Sequence, residues 1–334
     1  MKYICLEKQI FQQNNYSFLP LRFEDRFQIM KWRNEQMYHL RQSELLTIES
    51  QDEYFRNTIL KLFDQKNPTQ LLFSICKGNE LIAYGGLVHI NWVDKNAEIS
   101  LVIDTTVDPD LFSEIWNVSL SIFKQIAFKQ LRFKKIYTYA FDIRPFLYPI
   151  LENNGFKLEA RLKNHCCIDD KYYDVLIHTF YNPNQLICRE VLQDDIHKLY
   201  KWVNDSKVRL NSLDSKTIPW ETHVEWFNRA INNINSKIYI FESDGHPVGQ
   251  VRIDFKSNCW EFDYSVDKNY RGLGLGRSMI ESVLKSNPGK KFKAVVKKRN
   301  LASQNIFRSL GFVQTGITIS NNPSDNQNYI FLYG

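Results

Sequence analysis

The chain has 334 residues, a length that suits two ordinary domains better than one. Its 43% hydrophobic and 14% aromatic content supports folded cores and excludes bulk disorder. A net charge of +6 is mild, and no stretch is long and apolar enough to span a bilayer, so neither nucleic acid nor membrane is expected as a partner. The first residues, MKYICLEKQIF, carry Glu7 and no sustained apolar run, unlike a secretory signal, and a cytoplasmic location is expected. The six cysteines (Cys5, Cys76, Cys166, Cys167, Cys188, Cys259) have no zinc spacing and read as reduced thiols, so no metal is expected.

After an extension over Met1–Asn15 that would add a strand, the pattern predicts a strand at FLPLRF and a helix from about Glu24 into KWRNEQ. A loop (SELLTIES) and a helix (QDEYFRNTILKLF) follow. Strands are predicted at QLLFSICKG, ELIAYGGLVHINW and AEISLVID, then a helix over about Leu111–Gln130. The strand KKIYTYAF, the helix RPFLYPILENN and strands from Gly155 through DVLIHTFY complete the pass. Beyond Tyr181 the same order begins again. It reads LICREV (strand), DDIHKLYKWVND and WETHVEWFNRAINN (helices), then strands KIYIFES, PVGQVRIDF and WEFDYSVD. A glycine-rich turn and a helix follow, then the strand KFKAVVKK, the helix LASQNIFRSL and closing strands.

The two passes align residue by residue. Trp32 and Asn34 answer Trp202 and Asn204, and Asp25 and Asp195 each stand seven residues before their Trp. Glu53-Tyr54-Phe55 answers Glu225-Trp226-Phe227, and Gly86–Ile90 answers Gly249–Ile253. Glu98 and Asp104 stand six apart, as do Glu261 and Asp267, and Asn154-Gly155-Phe156 answers Leu310-Gly311-Phe312. An ordered series of this kind indicates duplication, with domains over 1–182 and 183–334.

The copies differ after the strand that ends in Asp104 or Asp267. The second copy reads Arg271-Gly272-Leu273-Gly274-Leu275-Gly276-Arg277 and enters an amphipathic helix. Alternate glycines at a helix N-terminus allow close backbone approach and leave N–H groups for an anion. The dinucleotide fingerprint is excluded because Arg277 stands where its third Gly belongs, and no Gly-Lys-Ser/Thr completes a P-loop. The first copy reads TTVDPDLFSEIW, with no glycine and added acids, and is not expected to hold a diphosphate. A basic run (Lys290, Lys291, Lys293, Lys297, Lys298, Arg299) is a solvated face or an attraction for a polyanionic small molecule.

The Arg271, Gly274, Gly276 spacing, with Gly272, resembles motif A of the GNAT acyl-CoA N-acyltransferases. Asn300-Leu301-Ala302-Ser303 followed by Phe307 and Gly311-Phe312 is similar to their motif B. The resemblance implies two tandem GNAT-like α/β domains, each a mixed, mostly antiparallel sheet flanked by helices, with the first copy degenerate. It implies acetyl-CoA as acyl donor, held by Val266, Arg271, Gly272, Leu273, Gly274, Gly276, Arg277, Asn300 and Ser303. Asn300 reads equally as a helix N-cap.

Amine acetylation needs a base for the ammonium, orientation, and donors for the oxyanion. Glu261 is the candidate base, although Glu98 at its place in the degenerate copy allows a structural reading. Phe307 stands where many GNAT enzymes have the Tyr that reprotonates the thiolate, so Tyr264 or water would substitute. The segment Trp202–Phe227 resembles the nucleotide-sugar amine acetyltransferases of the pseudaminic-acid pathway, with Val203 in place of their Arg. On that resemblance Asn204, Arg209 and Trp226 are substrate-binding candidates and His223 a catalytic one, with Arg209 meeting a diphosphate or carboxylate. A packed helix face is the plainer reading of His223 and Trp226. The expected substrate is the primary amine of a nucleotide-linked amino-deoxy sugar. The alternatives are a protein N-terminus, an aminoglycoside or a polyamine, or a non-catalytic acyl-CoA scaffold or sensor. The oligomeric state is left open.

Overall fold

The computed structural model describes residues 1–183, 186–243, 245–319 and 327–334. Residues 184 and 185, at the expected junction of the repeats, lie outside the described residues. The chain forms two compact units, Met1–Asn182 and Pro183–Gly334.

The first unit opens with β1 (Phe11–Gln13), β2 (Tyr16–Pro20), α1 (Arg26–Glu35), α2 (Ile48–Tyr54) and α3 (Leu60–Leu62). It continues with β3 (Leu71–Lys77), β4 (Glu80–Asn91), β5 (Asn96–Ile103), α4 (Pro109–Gln125), β6 (Lys135–Phe141), α5 (Leu147–Asn153), β7 (Lys157–Ile168) and β8 (Lys171–Tyr181). Its eight strands are ordered β1-β2-β3-β4-β5-β6-β8-β7. The helix expected from Gln51 begins earlier, because Thr47 and Ser50 cap it reciprocally. It passes through a wide turn at Phe55–Ile59 before α3.

The second unit has β9 (Ile187–Glu190), α6 (Ile196–Val203), α7 (Ser206–Asn211), α8 (Trp220–Ile231), β10 (Ser236–Ser243), β11 (His246–Lys256) and β12 (Cys259–Val266). Then come α9 (Leu275–Lys285), β13 (Phe292–Lys297), α10 (Leu301–Ser309), β14 (Val313–Ile319) and β15 (Gln327–Tyr333). The strand order is β14-β15-β13-β12-β11-β10-β9. Helix α7 has no counterpart in the periodicity. Its start is a local matter, the Asp205 carboxylate accepting from the N–H groups of Lys207 and Val208. One core holds Met279, Ile280 and Val283 of α9 and Phe307 of α10 with Phe262 and Phe331 of the sheet. A second holds Leu199 and Trp202 of α6 and Phe227 of α8 with Ile238 and Ile240 of β10. These are two mixed, mostly antiparallel sheets with helices, the α/β architecture expected of tandem domains.

Each sheet contains a parallel pair whose ladder is short. In the first unit β5 meets β6 only at Asn96–Lys135, Ala97–Ile136 and Glu98–Tyr137. In the second β12 meets β13 only at Trp260–Phe292 and Glu261–Lys293. Beyond those pairs the strands part, and each unit has a V-shaped opening in its sheet.

Candidate functional site

The opening in the second unit leads from Glu261 toward the turn that starts α9. Gly272 and Gly274 have φ of +78° and +90°, left-handed values that a side chain would strain. Gly274 is the N-cap of α9 and supplies no side chain. Among the described residues none accepts from the backbone N–H of Gly272, Leu273, Gly274, Leu275 or Gly276. Those donors, with the positive end of the helix dipole, form an anion cradle. A Cβ on Gly276 would lie 3.1 Å from the Tyr264 ring and 3.2 Å from Ile306, so a larger residue would press on both side chains where the helix seats on β12.

Arg271 is a strut of the turn. Its Nε donates to the Val266 carbonyl (3.0 Å) and its Nη2 to the Asp205 carboxylate (2.7 Å). Leu273 and Val266 pack against the core, while Arg277 is exposed on the first turn of α9. Asn300 caps α10 by accepting from the Ser303 N–H at 3.2 Å. The Tyr264 and Ser303 hydroxyls lie 2.8 Å apart and join β12 to α10. Burial pushes the Tyr264 phenol up to about 12, so it is protonated at neutral pH. Phe307 is buried in the core, edge-on to Tyr264.

Glu261 sits at the last paired position before β12 and β13 part, with its carboxylate 3.3 Å from Lys293 Nζ. The opposite face of β12 from Tyr264 carries the acids Glu261 and Asp263. Arg252 lies 3.6 Å from Asp263 and over the half-buried Trp226 ring, 5.1 Å from its centroid.

The other candidates on the substrate side hold the fold. His223 is buried, and its Nε2 lies 3.0 Å from the Ile196 carbonyl, which it reaches as a donor. Burial lowers its pKa, so the ring is neutral. In the first unit Gln51 donates to the Arg26 carbonyl at 2.8 Å, at the same place at the start of α1. Gln51 therefore keeps the structural job that His223 performs. Asn204 clasps Ile218 through both backbone groups, and Asn34 clasps Leu46 in the same way. Arg209 donates to the carbonyls of Val203, Asp214 and Lys216 and to the Ser212 hydroxyl, so its guanidinium gathers the loop after α7. Lys297, a residue of the basic run, is buried and donates to the Leu210 carbonyl and Ser215 hydroxyl. Spacing does not reveal this, because the acceptors lie over eighty residues away in sequence.

The acetyltransferase (GNAT) domain profile matches residues 20–177, and the acetyltransferase (GNAT) family profile matches residues 196–312. No curated protein matches the chain. Among solved structures it is similar to spermidine N-acetyltransferase from Vibrio cholerae in complex with CoA and spermine. That likeness has 20% identity and a TM-score of 0.45, covering 51% of this chain and 96% of the other. A dodecameric structure of the Vibrio cholerae spermidine enzyme matches at 20% identity and TM-score 0.43, covering 51% and 95%. A putative phosphinothricin N-acetyltransferase matches at 19% identity and TM-score 0.40, covering 44% and 97%.

Proposed function

We propose, for a chain that belongs to the GNAT acetyltransferases through a matched domain in each half, that the second unit carries the N-acetyltransferase activity. The observation that carries this is the bare amide cradle at residues 272–276 beside the parted strands β12 and β13. Acetyl-CoA would fit there. Its diphosphate would meet the N–H groups of Gly272–Gly276, and its arm would run along β12 between Tyr264 and Asn300. It supplies the acetyl group as an activated thioester.

The residues of this unit would then do the following. Glu261, at the closed end of the opening, takes the proton of the incoming ammonium, directly or through water. Lys293 Nζ stands 3.3 Å from its carboxylate and holds it in place. The N–C bond forms as the C–S bond breaks, and the departing sulfur ends as a thiol. Burial holds the Tyr264 phenol at about 12, well above the ~8.5 of an ordinary thiol, so its hydroxyl supports the thiolate by a hydrogen bond and water completes the protonation.

The substrate we assign is the primary amine of a nucleotide-linked amino-deoxy sugar. The Trp202–Phe227 segment supports it, with Trp226 as a platform beside Arg252. A second reading, a polyamine, is favoured by Glu261 and Asp263 on one face of β12, where a cationic amine gains from both. Acetyl-CoA with a panel of amino-sugar nucleotides and polyamines, read by mass spectrometry, tests the choice. Turnover on polyamines with none on sugar amines reverses it, and no thiol release with any amine removes the site assignment.

A further inference from the structure

The first unit has no bare cradle, yet its sheet opening is kept. A cavity of about 490 Å³ occupies it, within the usual range of a small-molecule site. Its walls include Glu98 of the last pair, then residues 99–101 of β5 and 138–141 of β6, where those strands have parted. Most of the remaining lining is apolar or aromatic, including Leu72, Tyr84, Trp116 and Leu147.

The charges of the lining do not balance. Arg33, Arg41 and Arg144 face one acid, Glu98. Glu98 is already engaged by Arg41 and by His89 Nδ1 at 2.9 Å. Arg33 spends its donors on Gln42 and the Tyr84 hydroxyl, both neutral. Arg144 stands in the turn after β6 and has no carboxylate partner among the described residues. Its favourable electrostatic neighbours are the phenols of Tyr38 and Tyr148. Burial disfavours its charge, as expected for a cation without a counter-ion. His39 adds nothing to neutralise it, since burial and the neighbouring Arg144 hold it at about 3 and uncharged.

Four polar atoms of the lining residues have no hydrogen-bond partner: Arg144 Nε, His39 Nδ1, Thr138 Oγ1 and Trp116 Nε1. Thr138 and Trp116 are 3% and 4% exposed, so these two donors are buried. Arg144 Nη1 has only the neutral His39 ring as a partner, its Nε2 at 3.5 Å; buried donors without partners and a half-buried cation without a counter-ion are costly in a fold that has no use for them.

We propose that the first unit is a binding domain for a small organic anion, with a carboxylate, sulfonate or phosphate head held by Arg144 and a ring-sized apolar body in the parted sheet. The head meets the guanidinium, with Thr138 and Trp116 as neutral donors. The body lies among Leu72, Tyr84 and Leu147. This site differs from an acyl-CoA site, because Asp108 already occupies the N-terminus of α4 by accepting from the Leu111 N–H at 2.8 Å.

The test uses the full chain and two fluorescent probes, the anionic 8-anilinonaphthalene-1-sulfonate and its uncharged relative N-phenyl-1-naphthylamine. The sulfonate should bind at one saturable site that excess acetyl-CoA does not empty. Arg144→Met should weaken the sulfonate by about tenfold or more, the worth of one charge-assisted hydrogen bond. Arg144→Lys should hold most of the affinity, and the uncharged probe should bind all three proteins alike. Without probe, Arg144→Met should melt no lower than the parent, since an unpaired cation has been removed. The proposal is overturned by absence of sulfonate binding, by displacement with acetyl-CoA, or by equal binding to Arg144→Met. A fall in melting temperature with binding intact also overturns it, because Arg144 is then a structural residue.

Discussion

The N-termini of α4 and α9 follow equivalent strands and solve the same electrostatic problem in opposite ways. Helix α4 begins at Asp108, whose carboxylate accepts from Leu111, with Pro109 in the first turn. Its positive end is answered by a charge within the chain. Helix α9 begins at Gly274, with no side chain and a backbone twisted to φ +90°. Its positive end is left for something outside the chain. A self-capped helix is the more stable arrangement when nothing binds, and an uncapped one is tolerated where a ligand supplies the missing anion. The duplication therefore separates a helix terminus specialised for folding from one specialised for binding.

The sharpest way to break this contrast is to give α9 the character of α4. Gly276→Asp places a carboxylate in the first turn of α9, its Cβ against the Tyr264 ring. Acetyl-CoA affinity should fall by about a hundredfold or more, from lost amide contacts together with charge repulsion. Calorimetric titration measures this, and affinity within a factor of three would remove the cradle from the site. Glu261→Gln comes next. It keeps the size of the side chain and removes the base, so kcat should fall about a hundred- to a thousandfold while KM for acetyl-CoA stays level. A parallel rise in KM would make Glu261 a binding group instead. Tyr264→Phe deletes the hydrogen bond to Ser303 and the donor beside the departing sulfur. A loss in kcat of about three- to tenfold fits a hydrogen-bonding role. A loss of about a hundredfold or more would show that the phenol gives up its proton in the rate-limiting step.

The duplication is legible in the sequence because its markers serve the same packing in both copies. Trp32 and Trp202 are both buried, and Asn34 and Asn204 make the same two-bond clasp. The cradle is legible because left-handed turns and close helix seating leave glycine as the residue that fits. The substrate-side side chains are harder to read. Arg209, His223 and Lys297 are residue types that catalysis and binding use, and each turns out to be committed to a backbone carbonyl. Spacing places such a residue on a helix or strand and says nothing of which carbonyl is left without a donor. The cavity of the first unit is hidden for a related reason. Its lining is assembled from β5, β6 and the turns holding His39 and Arg144, and no short pattern in the chain joins them.

The smallest expected effect tests the equivalence of Gln51 and His223 most directly. His223→Gln should preserve the bond to the Ile196 carbonyl, as Gln51 preserves the bond to Arg26. Activity at pH 7.5 should stay within about twofold, because no proton transfer is assigned to His223. Stability should change only in its dependence on pH. The folded-state pKa of His223 is lowered from its ordinary value, so the unfolded chain binds the proton first as pH falls. The contribution of His223 is whole above about pH 6.5 and is lost below it, until the folded-state pKa is reached. His223→Gln should remove that part of the acid slope and leave the part due to His39 in the first unit, whose pKa is held at about 3. Melting curves at half-unit steps from pH 7.5 to 4.5 measure the difference. If instead kcat drops by about a hundredfold with the melting curves unchanged, His223 acts in the chemistry and the two positions are not equivalent.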